Sequence, residues 1–539
     1  MKKYIISLIA IGLITFTISA QEVWTGATSS NWSVDSNWQD GSSPNNFAGS
    51  GITIPNVAND PIVTGASAVV VGTITIASGA TLTINGGYIN HPSGVLDNDG
   101  TVIINSSGAY LQSAAVTGDG TFQYVRNLAT SNWYVIASPL AGQDIDTFVT
   151  NSALETSGSF SAFGTYRTLQ NDFTYYTTGS SGTGNFTPGK GHIVSLAGSS
   201  GDLTFSGSNP STSNITYTLN YTGNRYNLLG NAWPSYLKTP SFLSDNTAKL
   251  ESQTVWTWNA ANSSWTTLVG ANGPYVAPCQ GFFVEAKNGG SGDVTFQESY
   301  QETAGTGFQG PEVNLSEVQL TLKNTTTFRE AKIYYVAGTT TGFDNGWDGK
   351  IFGGQNNDFA IYTKALTFEI NRDYDLGVQT VPSTDYSIPV GINAEPGTDI
   401  TISAISENLP EGINIYLEDT ETDTLTLLDE SSEYSLSLPD GSAGIGRFYI
   451  HTVANELEIG ENNLDTVIIY KSQDNNLQIS GLQDGIAHLK VYNMLGKQVL
   501  ETSFEADMTN TISVQSLKQG IYIVHLETTT GTLIKKIGL

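Results

Sequence analysis

One stretch of this chain concentrates hard oxygen donors. Gly342-Phe343-Asp344-Asn345-Gly346-Trp347-Asp348-Gly349 holds two carboxylates and an amide in a short loop, the donor chemistry that Ca²⁺ favours. Asp344, Asn345 and Asp348 are therefore the candidate metal ligands. The loop lacks the full spacing and closing Glu of an EF-hand. Asn-Gly and Asp-Gly also form tight turns unaided, so a plain turn is the default and Ca²⁺ the alternative. Asp97-Asn98-Asp99-Gly100 is a weaker version of the same pattern. The remaining chemistry is sparse. There is one cysteine, Cys279, and five histidines. No His-Glu-x-x-His helix, Gly-x-Ser-x-Gly elbow, full phosphate-binding Gly-x-x-x-x-Gly-Lys-Ser/Thr loop or Cys-x-x-Cys pair occurs. A glycosidase needs only two carboxylates that meet in space, so that chemistry has no motif to miss.

An internal duplication bears on Cys279 and His192. Trp133-Tyr134-Val135-Ile136-Ala137-Ser138-Pro139 is echoed by Tyr226-Asn227-Leu228-Leu229-Gly230-Asn231-Ala232-Trp233-Pro234. Phe186-Thr187-Pro188-Gly189-Lys190-Gly191-His192 is echoed by Tyr275 to Phe282, and Asp202-Leu203-Thr204-Phe205 by Asp293-Val294-Thr295-Phe296. The offset of about ninety residues suits one sandwich-like unit rather than a solenoid rung. Cys279 falls where the first copy has Gly189, and His192 where the second has Phe282. Neither position reads as catalytic.

The elements that carry these residues are β-strands. Gly 57, Tyr 25 and Phe 21 with only 13% charged residues describe a Gly- and aromatic-rich β protein. At 539 residues several domains are expected. The formal charge of −28 argues against a nucleic-acid partner. Lys2 and Lys3, the apolar run Tyr4 to Ile18 and Ser19-Ala20 form a signal peptide over residues 1–20, so export through the inner membrane is expected. Cys279 has no partner for a disulfide, and stability must come from packed sheets.

The expected fold is all-β and multidomain. Residues 21–125 open with Trp24, Trp32 and Trp38 and continue as short strands punctuated by Gly72, Gly79, Gly87, Gly94, Gly100 and Gly108. That rhythm suits a β-solenoid with a tryptophan cap, with a sandwich of hairpins as the alternative. Residues 126–304 are the duplicated sandwich-like modules, 305–454 a further β-sandwich and 455–462 a linker. Residues 463–539 are a last small sandwich.

This last segment carries Val491-Tyr492-Asn493-Met494-Leu495-Gly496-Lys497, Leu517-Lys518-Gln519-Gly520-Ile521-Tyr522-Ile523-Val524 and Lys535-Lys536-Ile537. It resembles the type A C-terminal sorting domain of the Bacteroidetes type IX (Por) secretion system. The resemblance implies an Ig-like fold, passage across the outer membrane by the type IX machinery, and cleavage of the domain. It also implies attachment of the cargo to surface lipopolysaccharide, or its release. Gly496, Gly520, Tyr522, Lys535 and Lys536 mark the sorting signal. Gly520 is expected to permit a close approach, and Lys535 and Lys536 to form an exposed basic edge. The Trp-rich opening more loosely resembles the N-termini of repetitive, adhesin-like surface proteins of the same bacteria.

The expected function is that of a secreted or cell-surface protein, non-enzymatic, adhesive or structural. The alternative is a carbohydrate-binding protein or carbohydrate-active enzyme, with polysaccharide as partner. Trp24, Trp32, Trp38, Trp256, Trp258, Trp265 and Trp347 are the candidate sugar platforms, and core or cap positions are the commoner fate of such rings. No cofactor other than Ca²⁺ is indicated.

Overall fold

The computed structural model describes residues 22–539 except 45–50, 66, 70–71, 114, 209–212, 273–274, 304–314, 354–356, 370–371, 455–463, 465–466, 473–475, 483–484, 494–496, 508, 519 and 529–530. The expected signal peptide, the expected linker and Gly496 thus lie outside the described residues.

The opening region winds as a three-sided parallel β-solenoid. One face stacks Glu22–Val23, Ile52–Ile54, Ile74–Ile76, Val95–Asn98 and Ala115–Thr117. A second stacks Ile62–Thr64, Thr81–Asn85, Thr101–Asn105 and Thr121–Leu128. A third stacks Ser67–Val69, Tyr88–His91 and Ala109–Gln112. The six-to-eight-residue glycine rhythm is one side of the triangle, and a full coil returns Thr101 beside Thr121, 20 residues on. Alternate residues point inward, so Ile54, Ile76, Leu82, Ile84, Val102 and Ile104 fill the axis and are buried. Trp24, Trp32 and Trp38 close the open end, with Trp38 edge-on to both partners at 5.1 and 4.8 Å. The buried Asn37 amide holds the cap together by accepting from Thr28 N and Ser29 N and donating to Asn31 O.

Parallel stacking stops at Val125, the last residue of its strand in register with Thr101–Asn105, but the strand does not. Thr121–Leu128 runs through that point and pairs antiparallel with Gly201–Gly207 of the first module, so solenoid and module share one continuous core.

The two modules repeat one topology. Tyr134–Ile136, His192–Val194 and Phe160–Arg167 form a sheet in that order, and Tyr226–Gly230, Gly281–Glu285 and Thr254–Asn259 form its counterpart. Each carries a seven-residue helix, Ile145–Asn151 or Thr239–Asp245. Phe148 stacks on Phe205 and Phe242 on Phe296, both at 4.8 Å. The copies interlock about a pseudo-two-fold axis. Ala137 N donates to Cys279 O and Gly230 N donates to Gly189 O, each at 3.0 Å.

In the third region eleven strands between Ser316 and Ala454 form one sheet. Inward residues from both ends of its strand order, among them Leu322, Leu438, Leu417 and Leu428, belong to one core, so the sheet folds over on itself as a sandwich. Its strands Gly349–Lys350 and Leu376–Val381 press on the second module. A Cβ on Gly377 would meet Thr267 Oγ1 at 2.6 Å, which is why that position is glycine.

The last domain is a seven-stranded sandwich. Ile468–Lys471, Asn476–Ser480 and Thr509–Ser513 face Gln498–Ala506, Gly485–Asn493, Ile521–Thr528 and Gly531–Gly538. Leu477, Ile479, Leu489, Val491, Val524 and Leu526 fill the space between them.

Candidate functional site

An aromatic cleft lies where the second and third sandwich-like modules meet, with the first beside it. The hairpin Thr254–Asn259/Ser264–Val269 sets Trp258 opposite Trp265, their rings 4.9 Å apart. The third module adds Phe352, 4.5 Å from Trp265. With Arg329, Glu330, Asn357 and Phe359 these residues line a cleft of about 200 Å³. Trp258 and Trp265 are half-buried. The Trp258 indole N–H donates to Trp133 O at 2.8 Å. That bond continues the aromatic surface onto the first module, where Trp133 (38% exposed) lies 5.7 Å from Tyr175 (40% exposed).

Polar groups border these rings. Arg329 Nη1 donates to Thr327 Oγ1 and Phe328 O, both at 2.8 Å, while Nε and Nη2 have no partner among the described residues. Burial holds its guanidinium below the ordinary arginine value. Glu330 Oε1 accepts from Gln319 at 2.9 Å, and desolvation raises its carboxyl. It is the one carboxylate lining the cleft among the described residues.

An ion network braces the cleft from behind. Arg225 bonds Glu251 Oε2 at 2.7 Å and Glu285 Oε1 at 2.6 Å, and Lys350 pairs with the other Glu285 oxygen. Lys350 also sits 5.0 Å over the Tyr374 ring. Lys350 O accepts from the Trp256 indole at 2.8 Å and Tyr226 OH from Gly353 N at 3.2 Å, so the chain through Phe352 is held at both sides.

The oxygen-rich loop is spent on the same joint. Asp348, fully buried, accepts from Thr380 N at 2.6 Å, Thr380 Oγ1 at 2.9 Å and Asp344 N at 2.7 Å. Asp344 accepts from Thr340 N and Oγ1, at 2.5 and 3.0 Å. Asn345 Oδ1 accepts from Gln253 N of the second module at 2.8 Å. Each of these oxygens accepts from N–H or O–H donors of the fold, and no group of three or more His, Cys, Asp or Glu side chains that could hold a metal lies among the described residues. The loop thereby clasps the second module to the third. Burial pushes the Asp348 carboxyl up to about 6. In the weaker candidate, Asn98 is buried inside the solenoid while Asp97 Oδ1 accepts from Thr117 Oγ1 at 2.9 Å.

Cys279 and His192 are interior. Cys279 adopts φ +63° and its counterpart Gly189 φ +78°, so the shared requirement is a left-handed turn residue and not a thiol. Burial raises the thiol pKa far above its ordinary value. His192 and Phe282 occupy equivalent registers, opposite Ile136 and Leu229. Burial, helped by Lys190, pushes the imidazole down to about 3.

Among the tryptophans named as sugar platforms, Trp24, Trp32, Trp38 and Trp256 are buried, which removes them. Trp258, Trp265 and Trp347 remain partly open.

The sorting-signal residues divide. Tyr522 is buried in the last core and its hydroxyl donates to Lys518 O at 2.6 Å. At Gly520 a Cβ would meet nothing closer than 3.8 Å, so the close approach expected there is absent. Its backbone is instead tied to Leu539 by two hydrogen bonds, of 2.8 and 2.9 Å. Lys536 is exposed, but Lys535 is half-buried. Burial draws the Lys535 ammonium below its ordinary value, against Asp385 of the third module. Half of the expected basic edge therefore faces an interdomain contact. There Glu418, with His451 on one oxygen at 2.8 Å and Tyr470 OH on the other, joins the third module to the last domain.

Taken with its last domain, the chain is an all-β cargo of type IX secretion. Residues 473–538 match the secretion system C-terminal sorting domain, which marks it for export to the cell surface or the exterior. Residues 23–270 and 261–451 match a domain of unknown function, DUF8693, and the chain belongs to that family. No curated protein matches it. Among solved structures it is similar to a biofilm-associated protein BSP domain, at 9% identity over 76% of this chain and 96% of that one, with a TM-score of 0.16. It is also similar to a tetra-tandem repeat from the extending region of a large adhesion protein. That match has 9% identity over 54% of this chain and 91% of that one, with a TM-score of 0.10.

Proposed function

We propose that the chain is a non-enzymatic surface protein that works by adhesion, delivered by its sorting domain and holding an aromatic contact face away from the cell. The observation that carries this reading is the contrast between spent and open groups. Cys279, His192, His451 and Asp348 are buried or bonded within the fold, whereas Tyr175 and Trp133 stand open at the surface. Contiguous exposed apolar surface marks an interaction site, and the Trp133 and Tyr175 rings lie 5.7 Å apart. The braced module junction suits a rigid contact surface better than a cleft that closes on a substrate.

The test is made in the native bacterium with the full chain and a chain lacking 463–539. The full chain is expected on the surface or in the medium, with its tail missing, and cells without it are expected to attach more weakly. Surface delivery that survives tail deletion, or attachment indifferent to the protein, would overturn the reading.

A further inference from the structure

We propose that the strip formed by Tyr175, Trp133, Trp258 and Trp265, with Arg329 beside it, binds a neutral polysaccharide chain. This rests on the reading of the protein as one that acts by surface contact, and it names the contact.

The four rings come from two modules, as the pairs Trp133–Tyr175 and Trp258–Trp265, and the Trp258 indole bond to Trp133 O sets the pairs side by side. Flat rings present an apolar face with an electron-rich centre, which suits the C–H face of a pyranose. The hydroxyls on a sugar's rim need donors and acceptors, and these border the rings. Arg329 has Nε and Nη2 unspent among the described residues, and Asn357 also lines the cleft. At about 200 Å³ the cleft is smaller than the roughly 300–1,000 Å³ of pockets that engulf a small molecule. A chain lying across it, one residue seated between Trp265 and Arg329, fits better than an enclosed ligand.

Charge selects among polymers. A net charge of −28 repels acidic glycans, and Arg329 is a single cation against that field. Geometry favours a preformed site. The Arg225–Glu285–Lys350 network fixes the Phe352 segment, so little ordering is left to oppose binding.

The experiment uses purified full chain in affinity electrophoresis and titration calorimetry. The probes are soluble neutral glucans, galactomannan and xylan, with alginate as acidic polymer and gelatin as protein. At least one neutral polymer is expected to retard the chain, with little dependence on salt, while alginate and gelatin do not. Trp265→Ala should weaken binding about tenfold or more. Trp265 also packs on Phe352 and Phe283, so Tyr175→Ala, on an exposed ring, and Arg329→Gln are the controls for folding. Each should weaken binding, and Tyr175→Ala should do so without shifting the melting temperature. No retardation by any neutral polymer, retardation by gelatin alone, or full affinity in all three variants would overturn the assignment. Such a result alongside intact surface attachment would leave the adhesive reading standing with a different partner.

Discussion

Ala137 and Gly230 face each other across the pseudo-two-fold axis, and a Cβ built on Gly230 would lie 2.1 Å from Ala137 Cβ. Only one of two equivalent positions can therefore carry a side chain. Gly230→Ala should cost about 1–3 kcal/mol through overpacking, seen as a lower melting temperature. With Ala137 Cβ gone, the nearest atoms to a Cβ at 230 are Ala137 Cα at 3.4 Å and Gln280 O at 3.5 Å. The double variant Ala137→Gly/Gly230→Ala is thus expected to recover most of the loss. A double variant no better than Gly230→Ala would show that the duplicated modules do not meet as described.

Cys279 supplies a second test of the duplication. Its left-handed backbone is strained for any residue with a Cβ, and Gly189 holds the equivalent place without strain. Cys279→Gly should trade the lost thiol packing against relief of that strain and stay within about 1 kcal/mol of the parent. In the native chain at pH 8 the thiol is expected to be silent to Ellman's reagent and to react as one thiol per chain in guanidinium. Rapid native labelling would contradict its burial.

Asp348 accepts three hydrogen bonds at the joint between the second and third modules. Asp348→Ala strands those donors and should cost about 3 kcal/mol or more. Chelation with EDTA should leave the parent's melting temperature unchanged, and a fall of several degrees would restore the Ca²⁺ reading. The pH dependence has a definite sign. Burial pushes the folded carboxyl up to about 6, above the roughly 3.9 of a free aspartate, so its contribution is complete below the lower value. It is lost as pH rises through about 6. Calorimetry of the parent against Asp348→Asn between pH 4 and 7 isolates it.

Period and punctuation carried most of the fold. The glycine rhythm between Gly72 and Gly108 reports the solenoid's sides directly, and the echo of Val135-Ile136-Ala137 by Leu228-Leu229-Gly230 reports the duplicated sheet. What stayed hidden depends on long-range contact. Nothing near residue 125 signals that Thr121–Leu128 pairs with Gly201–Gly207, because an antiparallel partner is chosen by the fold and not by neighbours. The cleft was half legible for the same reason. Trp258 and Trp265 share a hairpin and stand out, whereas Trp133, Tyr175 and Arg329 are unremarkable until three modules converge. The Asp344–Asp348 loop was open to two readings, since a carboxylate that could hold a cation can equally hold backbone N–H groups. Lys535 misled through symmetry, because adjacent strand residues point to opposite faces and only Lys536 faces solvent.

The contact between the third module and the sorting domain is expected to loosen on acidification. His451 and Glu418 are buried, Tyr470 is nearly so, and the His451 and Tyr470 rings lie 4.6 Å apart. Burial lowers the His451 pKa, Glu418 opposes the shift and Lys535 adds to it. Burial and Glu418 together raise the Tyr470 phenol, which keeps its proton and donates to the carboxylate. Asp385 completes the charged surroundings through Lys535. Because the folded imidazole holds its proton less tightly than the free one, docking stability is present above the unfolded value of about 6.5 and declines as pH falls below it. Hydrogen exchange across Ile468–Lys471 should accelerate between pH 7.5 and 5.5, after correction for intrinsic rates. His451→Gln keeps a donor for Glu418 without a titrating ring, and should flatten that dependence. Lys535→Met removes a cation that discourages protonation and should move the transition to lower exchange rates at pH 5.5. An unchanged pH profile in His451→Gln would show that the contact does not respond through this histidine.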